Sequence, residues 1–572
     1  RLVARVESGD ASVRAAEFDG AIYVAARRGA DAACVHDLLT KAVAAAARRT
    51  RAFAPLAEKT PPARMVGGLG WCTWDAFYSS VDAEKVDDGL GTLSRAGVRV
   101  RRLVLDDGWA ALDKDTDEDL NLSGEIIKGE ESGAAAAAIY GDESTPLVRL
   151  QRAFADRVGR AYATHVECAA PSSWGVRLWR LLSQTVLRKP LTHFFDESTD
   201  FTKALAWPPA PHARKFGGEA GFATFVKDVV REKHGVDHVA CWHAAAGYWG
   251  GVDSPDAERL RAAATPSLRA VEPAIDWDPA TLGGVRTPTS EQGVADVYEA
   301  LYDVLERCGV DGVKADVQSG VGALGARHGG GPRSVGMFVD AMEAAAAGRF
   351  DEGEGVGVTN CMCHSTENLY RYSTSALIRA SDDFYPREPE SWLWHLTACA
   401  YNGLLLGQVA LPDWDMFQSR HPAAWLHAAA RAASGGPVTV SDKPGAHDPA
   451  VLRALALPDG TTLIPTAQAR VAADCLFADV SSDGTTALKL AAPNGPDGAV
   501  LGMHARPRGS RRSRGLREDD ASAPSFERTT LARRRCGGDR TRSSLRIEDG
   551  ISRRRTPTSP KRSETGRRRA PG

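Results

Sequence analysis

Two aspartates at the ends of strand-like apolar runs are the residues best suited to chemistry. Asp316 lies in Gly-Val-Lys-Ala-Asp-Val-Gln, and Asp383 lies beside Asp382 in Arg-Ala-Ser-Asp-Asp-Phe. A retaining glycosidase needs one carboxylate as nucleophile and a second as acid and then base, with their carboxyl groups about 5 Å apart. Lys314 precedes Asp316 by two, so strand alternation sends both side chains to one face. There the ammonium keeps the carboxylate ionised, as a nucleophile requires, and can hydrogen-bond a sugar. Arg379 lies four residues before Asp383. An acid/base must hold its proton at working pH, so it should be partly desolvated and feel the nucleophile's charge. Only one of two adjacent aspartates can point at a glycosidic oxygen; Asp383 is favoured, with Asp382 as the fallback.

Other strand ends carry residues suited to holding a sugar. Asp106 and Asp107 can accept hydrogen bonds from two adjacent hydroxyls, Trp71, Trp74, Trp109 and Trp249 can stack on a pyranose, and Asp413 closes another run. Singly, each has a plainer reading, since a lone Asp-Asp is usually an exposed turn and a strand-end Trp is usually core. Eight such ends in order make chance a poorer explanation. Cys361-Met-Cys363-His364 invites a metal reading, but its spacing matches no known site and no second pair accompanies it. No metal is expected.

The elements that must position these residues are eight strand candidates separated by helical patterns. The strands begin at Gly68, Arg101, His238, Gly312, Gly355, Ala376, Leu404 and Pro437, the seventh running from Leu404 to Asp415. Val294, Val297, Leu301, Val304 and Leu305 mark one apolar helix face. Strand then helix, eight times over, predicts a (β/α)8 TIM barrel over 61–445, with its active face at the carboxyl ends of the strands. A doubly wound open sheet is the alternative. The connection between the second and third strands is far longer than an ordinary one and reads as an insertion over about 111–220. Much of 113–145 is expected to be disordered, and the amphipathic piece Val176 to Leu187 reads as a helix packed on the barrel or, less simply, as a membrane contact.

Residues 1–60 hold a short strand at Gly20–Ala26 and an Ala-rich helical run from His36 to Arg49, and read as the stump of a larger domain. The segment 446–502, including Leu452–Ile464 and Asp474–Val480, reads as a partial carboxyl-terminal β domain. Within 503–572 the pattern turns basic and low in complexity, which predicts disorder. From Arg506 onward there are 21 Lys+Arg against 8 Asp+Glu, leaving 50 against 65 in the rest. Such a tail could meet RNA or anionic lipid, but disorder or an altered reading frame is the simpler account.

Composition, at 43% hydrophobic and 25% charged over 572 residues, is that of a soluble protein. No apolar stretch is long enough to span a bilayer, so no membrane role is expected. The ten scattered cysteines read as reduced core thiols. The first residues begin in mid-pattern, without Met or a signal peptide, so the amino end is expected to be missing; a cytoplasmic location is expected, with a plastid as the alternative.

Longer motifs carry a resemblance. Gly-Trp71-Cys-Thr-Trp74-Asp75, Leu-Asp106-Asp107-Gly-Trp109, Trp242-His243 through Trp249-Gly-Gly, Val-Lys314-Ala-Asp316-Val-Gln318, Arg379-Ala-Ser-Asp382-Asp383-Phe, Pro412-Asp413-Trp-Asp415 and Pro437-Val-Thr-Val-Ser-Asp442 follow one another in the chain. Together they resemble the raffinose synthase, stachyose synthase and alkaline α-galactosidase (seed imbibition protein) group of glycoside hydrolase family 36, over roughly 60 to 500. The resemblance implies a (β/α)8 barrel between an amino-terminal β-sandwich domain, here reduced to a truncated remnant, and a carboxyl-terminal β domain, here partial, with retaining chemistry on α-galactosides such as galactinol and raffinose. It further implies Asp316 as nucleophile, the acid/base in the Arg-x-x-x-Asp segment, Asp106 and Asp107 as galactose ligands, and no cofactor. Transfer from galactinol to sucrose is the expected reaction, with hydrolysis as the alternative and a non-catalytic binding relative or defective fragment as a third reading. No nucleic-acid partner is expected.

Overall fold

The computed structural model describes residues 8–14, 32–113, 115, 203–262, 284–351, 353, 355–386, 391–480, 483, 485–493, 499–502 and 530–533. Its centre is one parallel sheet of nine segments: β1 Gly70–Cys72, β2 Arg102–Leu105, β3 His238–Ala244, β4 Gly312–Asp316, β5 Val358–Asn360, β6 Leu377–Arg379, β7 Leu411–Asp413, β8 Met416–Phe417 and β9 Thr439–Val440. Pairing runs β8-β9-β1-β2-β3-β4-β5-β6-β7. The two ends of that order, β7 and β8, are separated in the chain only by Trp414 and Asp415. The sheet therefore curls, and the fold is a parallel α/β fold of the barrel type. Every residue of β3 and β4 is buried, as expected for parallel strands covered on both faces.

Helices follow the strands and begin where side chains can cap them. Asp82 accepts the Lys85 amide at 2.8 Å ahead of Ala83–Arg95, and Ser290 accepts the Gly293 amide at 3.1 Å ahead of Glu291–Arg307. Val294, Val297, Leu301, Val304 and Leu305 of the latter are all buried. Register brings the chemistry together: Trp242 and Ala244 of β3 pair with Lys314 and Asp316 of β4, and Arg379 of β6 pairs with Asp413 of β7.

The break between β7 and β8 has its own support. Asp415 there has φ +68°, a left-handed conformation uncommon for a non-glycine residue. Arg431, fully buried, donates Nε to the Asp415 carbonyl at 2.6 Å and Nη2 to the Met416 carbonyl at 2.9 Å, satisfying the carbonyls of the kink.

Several expectations need correction. Leu404–Leu406 does not start the seventh strand; it ends helix Ser391–Leu406, because an apolar run alone suits either element. Leu452–Leu455 lies in helix Pro449–Leu455, capped by Asp448, and the chain over Asp474–Val480 forms turns. The small antiparallel pair in this region is Arg470–Val471 with Leu490–Ala491. Thr530–Arg533, inside the segment expected to be disordered, pairs antiparallel with Ala499–Gly502; ladder hydrogen bonds need backbone groups and no apolar core. Asp75 is not a strand end but sits in the helical turn Trp74–Phe77, where it accepts the Ser441 hydroxyl at 2.6 Å. The expected strand at 20–26, all of the segment 113–145 expected to be largely disordered except Asp113 and Asp115, and the amphipathic piece at 176–187 lie outside the described residues. Cys72, Cys241, Cys308, Cys361, Cys363, Cys399 and Cys475 are free and buried, and among the described residues no helix is long and apolar enough to cross a membrane.

Trp71 packs on helix Ala83–Arg95 at Gly89, where a Cβ would meet the indole at 2.2 Å. Gly89→Ala should therefore cost about 1–3 kcal/mol through overpacking. A urea denaturation midpoint indistinguishable from wild type would show that the ring is free to move.

Candidate active site

Lys314 and Asp316 alternate on β4, both within the sheet interior. Contrary to the expectation that its ammonium serves Asp316, Lys314 donates Nζ to Asp106 Oδ2 at 2.8 Å, and that pair is almost wholly buried. Burial alone would lower the ammonium's pKa, but the Asp106 carboxylate outweighs it and holds Lys314 well above the usual lysine range. Asp106 Oδ2 also accepts the Cys72 thiol at 3.3 Å, and the Asp106 amide donates to Thr73 Oγ1 at 3.0 Å. The carboxylate is thus fixed from β1, β2 and β4 together.

Asp107 turns the other way. Its amide donates to Asp106 Oδ1 at 2.9 Å, and its Oδ2 accepts Tyr248 OH at 3.0 Å and Trp249 Nε1 at 3.3 Å. Its Oδ1 is buried without a hydrogen-bond partner. Burial pushes this carboxyl up to about 7, opposed by the Tyr248 hydrogen bond and reinforced by the charge of Asp106. A buried oxygen left open in this way is a ready contact for a ligand hydroxyl.

Asp316 is held at both oxygens: Trp242 Nε1 donates to Oδ2 at 2.9 Å and the Val317 amide to Oδ1 at 2.8 Å. Val317 has φ +56°, an unfavourable conformation for a β-branched residue that aims its N–H back at the carboxylate. Across the rim, Arg379 is buried and donates Nη1 to Asp383 Oδ1 at 2.9 Å, while its Nη2 lies 2.8 Å from Asp415 Oδ1 and its Nε 3.9 Å from Asp413 Oδ2. Asp383 leaves 43% of its side chain exposed at the mouth. Its inner side is desolvated, which pushes it up to about 6, with Asp415 adding to the effect and Arg379 and Lys314 opposing it. Asp382 faces outward, accepting the Tyr385 hydroxyl at 3.3 Å and the Asp383 amide at 2.9 Å. Of the two neighbours, Asp383 is the one turned toward the cations.

The structure thus gathers Asp106, Asp107, Lys314, Asp316, Arg379, Asp383 and Asp413 at the carboxyl ends of the strands. Trp249 is half-buried beside Asp107, its ring 6.0 Å from Trp242. Trp74 is half-buried with an edge contact to Tyr78. Trp71 and Trp109 do not serve as sugar platforms. Trp71 is 0% exposed with Nε1 on the Asp442 carbonyl, and Trp109 is 1% exposed with Nε1 on the Trp242 carbonyl, so neither ring has a free face. Sequence reasoning passed over the partners of these groups: Trp242 and Tyr248, which hold two of the carboxylates, and Asp415 and His395 behind Arg379. Asp415 stood in plain view in the Pro412-Asp413-Trp-Asp415 motif. Among the described residues no group of three potential ligands could hold a metal.

The family described as raffinose synthase or seed imbibition protein Sip1 matches residues 2–514. The chain is 34% identical over 505 residues to the probable galactinol–sucrose galactosyltransferase 6 of Arabidopsis thaliana, covering 87% of this chain and 56% of that protein. It is 32% identical over 499 residues to the galactinol–sucrose galactosyltransferase of Oryza sativa subsp. japonica (85% and 54%), and 27% identical over 522 residues to the stachyose synthase of Pisum sativum (85% and 58%). The chain spans about half the length of the curated relatives it matches.

Asp107 supplies a pH test. Its folded pKa of about 7 exceeds the ordinary carboxyl value of about 4, so the native state binds this proton more tightly than the unfolded chain does. Its contribution to stability is full below about 4 and is lost as pH rises through about 7. In denaturation midpoints, Asp107→Asn should gain on wild type as pH rises across that window. Parallel curves for the two proteins would contradict the assignment.

Proposed function

The chain belongs to the raffinose synthase or seed imbibition protein family, and on that basis we propose that it transfers an α-galactosyl group from galactinol to sucrose through a covalent intermediate at Asp316. The observation that carries the reading is the pairing at the rim: a carboxylate held by two N–H donors on β4, and a second, proton-holding carboxyl on Arg379 beyond β6. The sheet reads as a closed (β/α)8 barrel with its seventh strand split into β7 and β8, which puts these groups on one rim.

The chemistry follows from their states. Asp316, ionised, attacks the anomeric carbon while Asp383 gives its proton to the glycosidic oxygen of the donor, which leaves as the alcohol. The Trp242 and Val317 donors stabilise the Asp316 carboxylate and so also favour its departure in the second step. Asp383, now a base, takes the proton from a sucrose hydroxyl as that oxygen attacks the same face, and configuration is retained. Asp106, fixed by Lys314, and the open oxygen of Asp107 receive the galactose hydroxyls, with the Trp249 ring beside them.

Hydrolysis is the second reading, favoured by the exposure of Asp383, which leaves water a route to the intermediate. Product analysis after incubation with galactinol separates the two. Raffinose formed only when sucrose is present supports transfer, and free galactose with or without sucrose supports hydrolysis. Asp316→Asn should lower turnover by several orders of magnitude while keeping galactoside binding. Turnover that survives the substitution would overturn the assignment of the nucleophile.

A further inference from the structure

Behind the rim, Asp415 is fully buried, and no step above uses it. Its Oδ2 accepts the Phe384 amide at 2.7 Å and lies 3.7 Å from His395 Nε2, while its Oδ1 lies 2.8 Å from Arg379 Nη2. One guanidinium therefore stands between Asp383 at 2.9 Å and Asp415 at 2.8 Å, with Asp413 at 3.9 Å on its third nitrogen. Resting on the galactosyl-transfer reading, we propose that Asp415 is a positioning residue. By engaging one arm of Arg379 it prevents that guanidinium from serving Asp383 alone, and so leaves Asp383 able to carry the proton that the departing oxygen needs.

Charge balance supports this division. Asp383 faces Arg379, Lys314, Asp316, Asp415 and the buried thiol of Cys361, with Asp382 and Tyr385 on its own loop. Asp415 faces Arg379, Lys314 and the helix residue His395, with Asp413 beside it on the chain and Arg431 and His427 from helix Ala424–Ser434. Lys314 is committed to Asp106 at 2.8 Å, so Arg379 is the cation that Asp383 and Asp415 share at contact distance. Asp415 has one fixed donor, the Phe384 amide on Oδ2, and no exposure; Asp383 sits at the mouth. The proton goes to Asp383. Despite burial, Arg379 and then His395 hold Asp415 below the ordinary carboxylate range. Against its own burial, His395 is pushed up to about 9 by Cys399 and Asp415 and acts as a second cation behind the pair.

The test is kcat/KM against pH for transfer from galactinol by the full chain, as wild type, Asp415→Asn and His395→Gln. The alkaline limb reports the proton on the acid/base of the free enzyme. Asp415→Asn removes the carboxylate that competes most closely with Asp383 for Arg379, and its alkaline limb should move to lower pH by about one unit or more. His395→Gln removes a cation, so its limb should move the opposite way, to higher pH. A nitrophenyl galactoside, whose leaving group departs without a proton, should show neither displacement. Limbs that stay at the wild-type position in folded variants overturn the proposal. Should Asp415→Asn fail to fold, the limb of His395→Gln alone decides. A folded wild type that turns over no α-galactoside would overturn the functional reading itself, and this inference with it.

Discussion

Lys314 and Arg379 reach the rim from inside a sheet whose strands are buried on both faces, and Asp106, Asp316, Asp383, Asp413 and Asp415 surround them. Charges in such a place are expensive unless paired and hydrogen-bonded, so their number decides which carboxyl keeps a proton. Lys314 is assigned to Asp106, Asp316 is held by neutral N–H donors, and Arg379 is divided. Asp383, desolvated on its inner side and beside Asp415, is pushed up to about 6, and burial, with the charge of Asp106, pushes Asp107 up to about 7. The proton on Asp383 that the proposed galactosyl transfer requires follows from this allocation.

The allocation depends in turn on backbone placed where side chains alone could not put it. Val317 and Asp415, with φ of +56° and +68°, follow β4 and interrupt the β7–β8 strand. The first turns its amide onto Asp316; the second swings its carboxylate in behind Arg379. The conformation is unfavourable for the β-branched Val317 and better tolerated by Asp415, where the buried Arg431 supports the kink by binding the carbonyls of residues 415 and 416.

How much of this could be read beforehand differs from group to group. The Lys314–Asp316 alternation needs only the two-residue period of a strand, and β4 was legible from its first residue to its last. The four tryptophans were not separable, because what decides each is its opposite number. Trp71 meets a glycine that lets it pack inward, while Trp249 meets Asp107, which accepts its N–H at the rim. Asp415 closed the seventh run with no role of its own, since its position depends on a kink that no local propensity announces. The run Leu404–Leu406 suited strand and helix equally, and the helix was decided by what it packs on: Cys399, Ala400, Gly403 and Leu406 are buried on one side of it.

The central claim is that Asp316 takes the galactosyl group. A fluorinated α-galactosyl donor, which forms the covalent intermediate faster than it is lost, followed by mass spectrometry of proteolytic peptides, tests this most directly. The account predicts a single fluorogalactosyl adduct on the peptide spanning β4, at Asp316. An adduct on another carboxylate, or none in a sample that turns over galactinol, would contradict it.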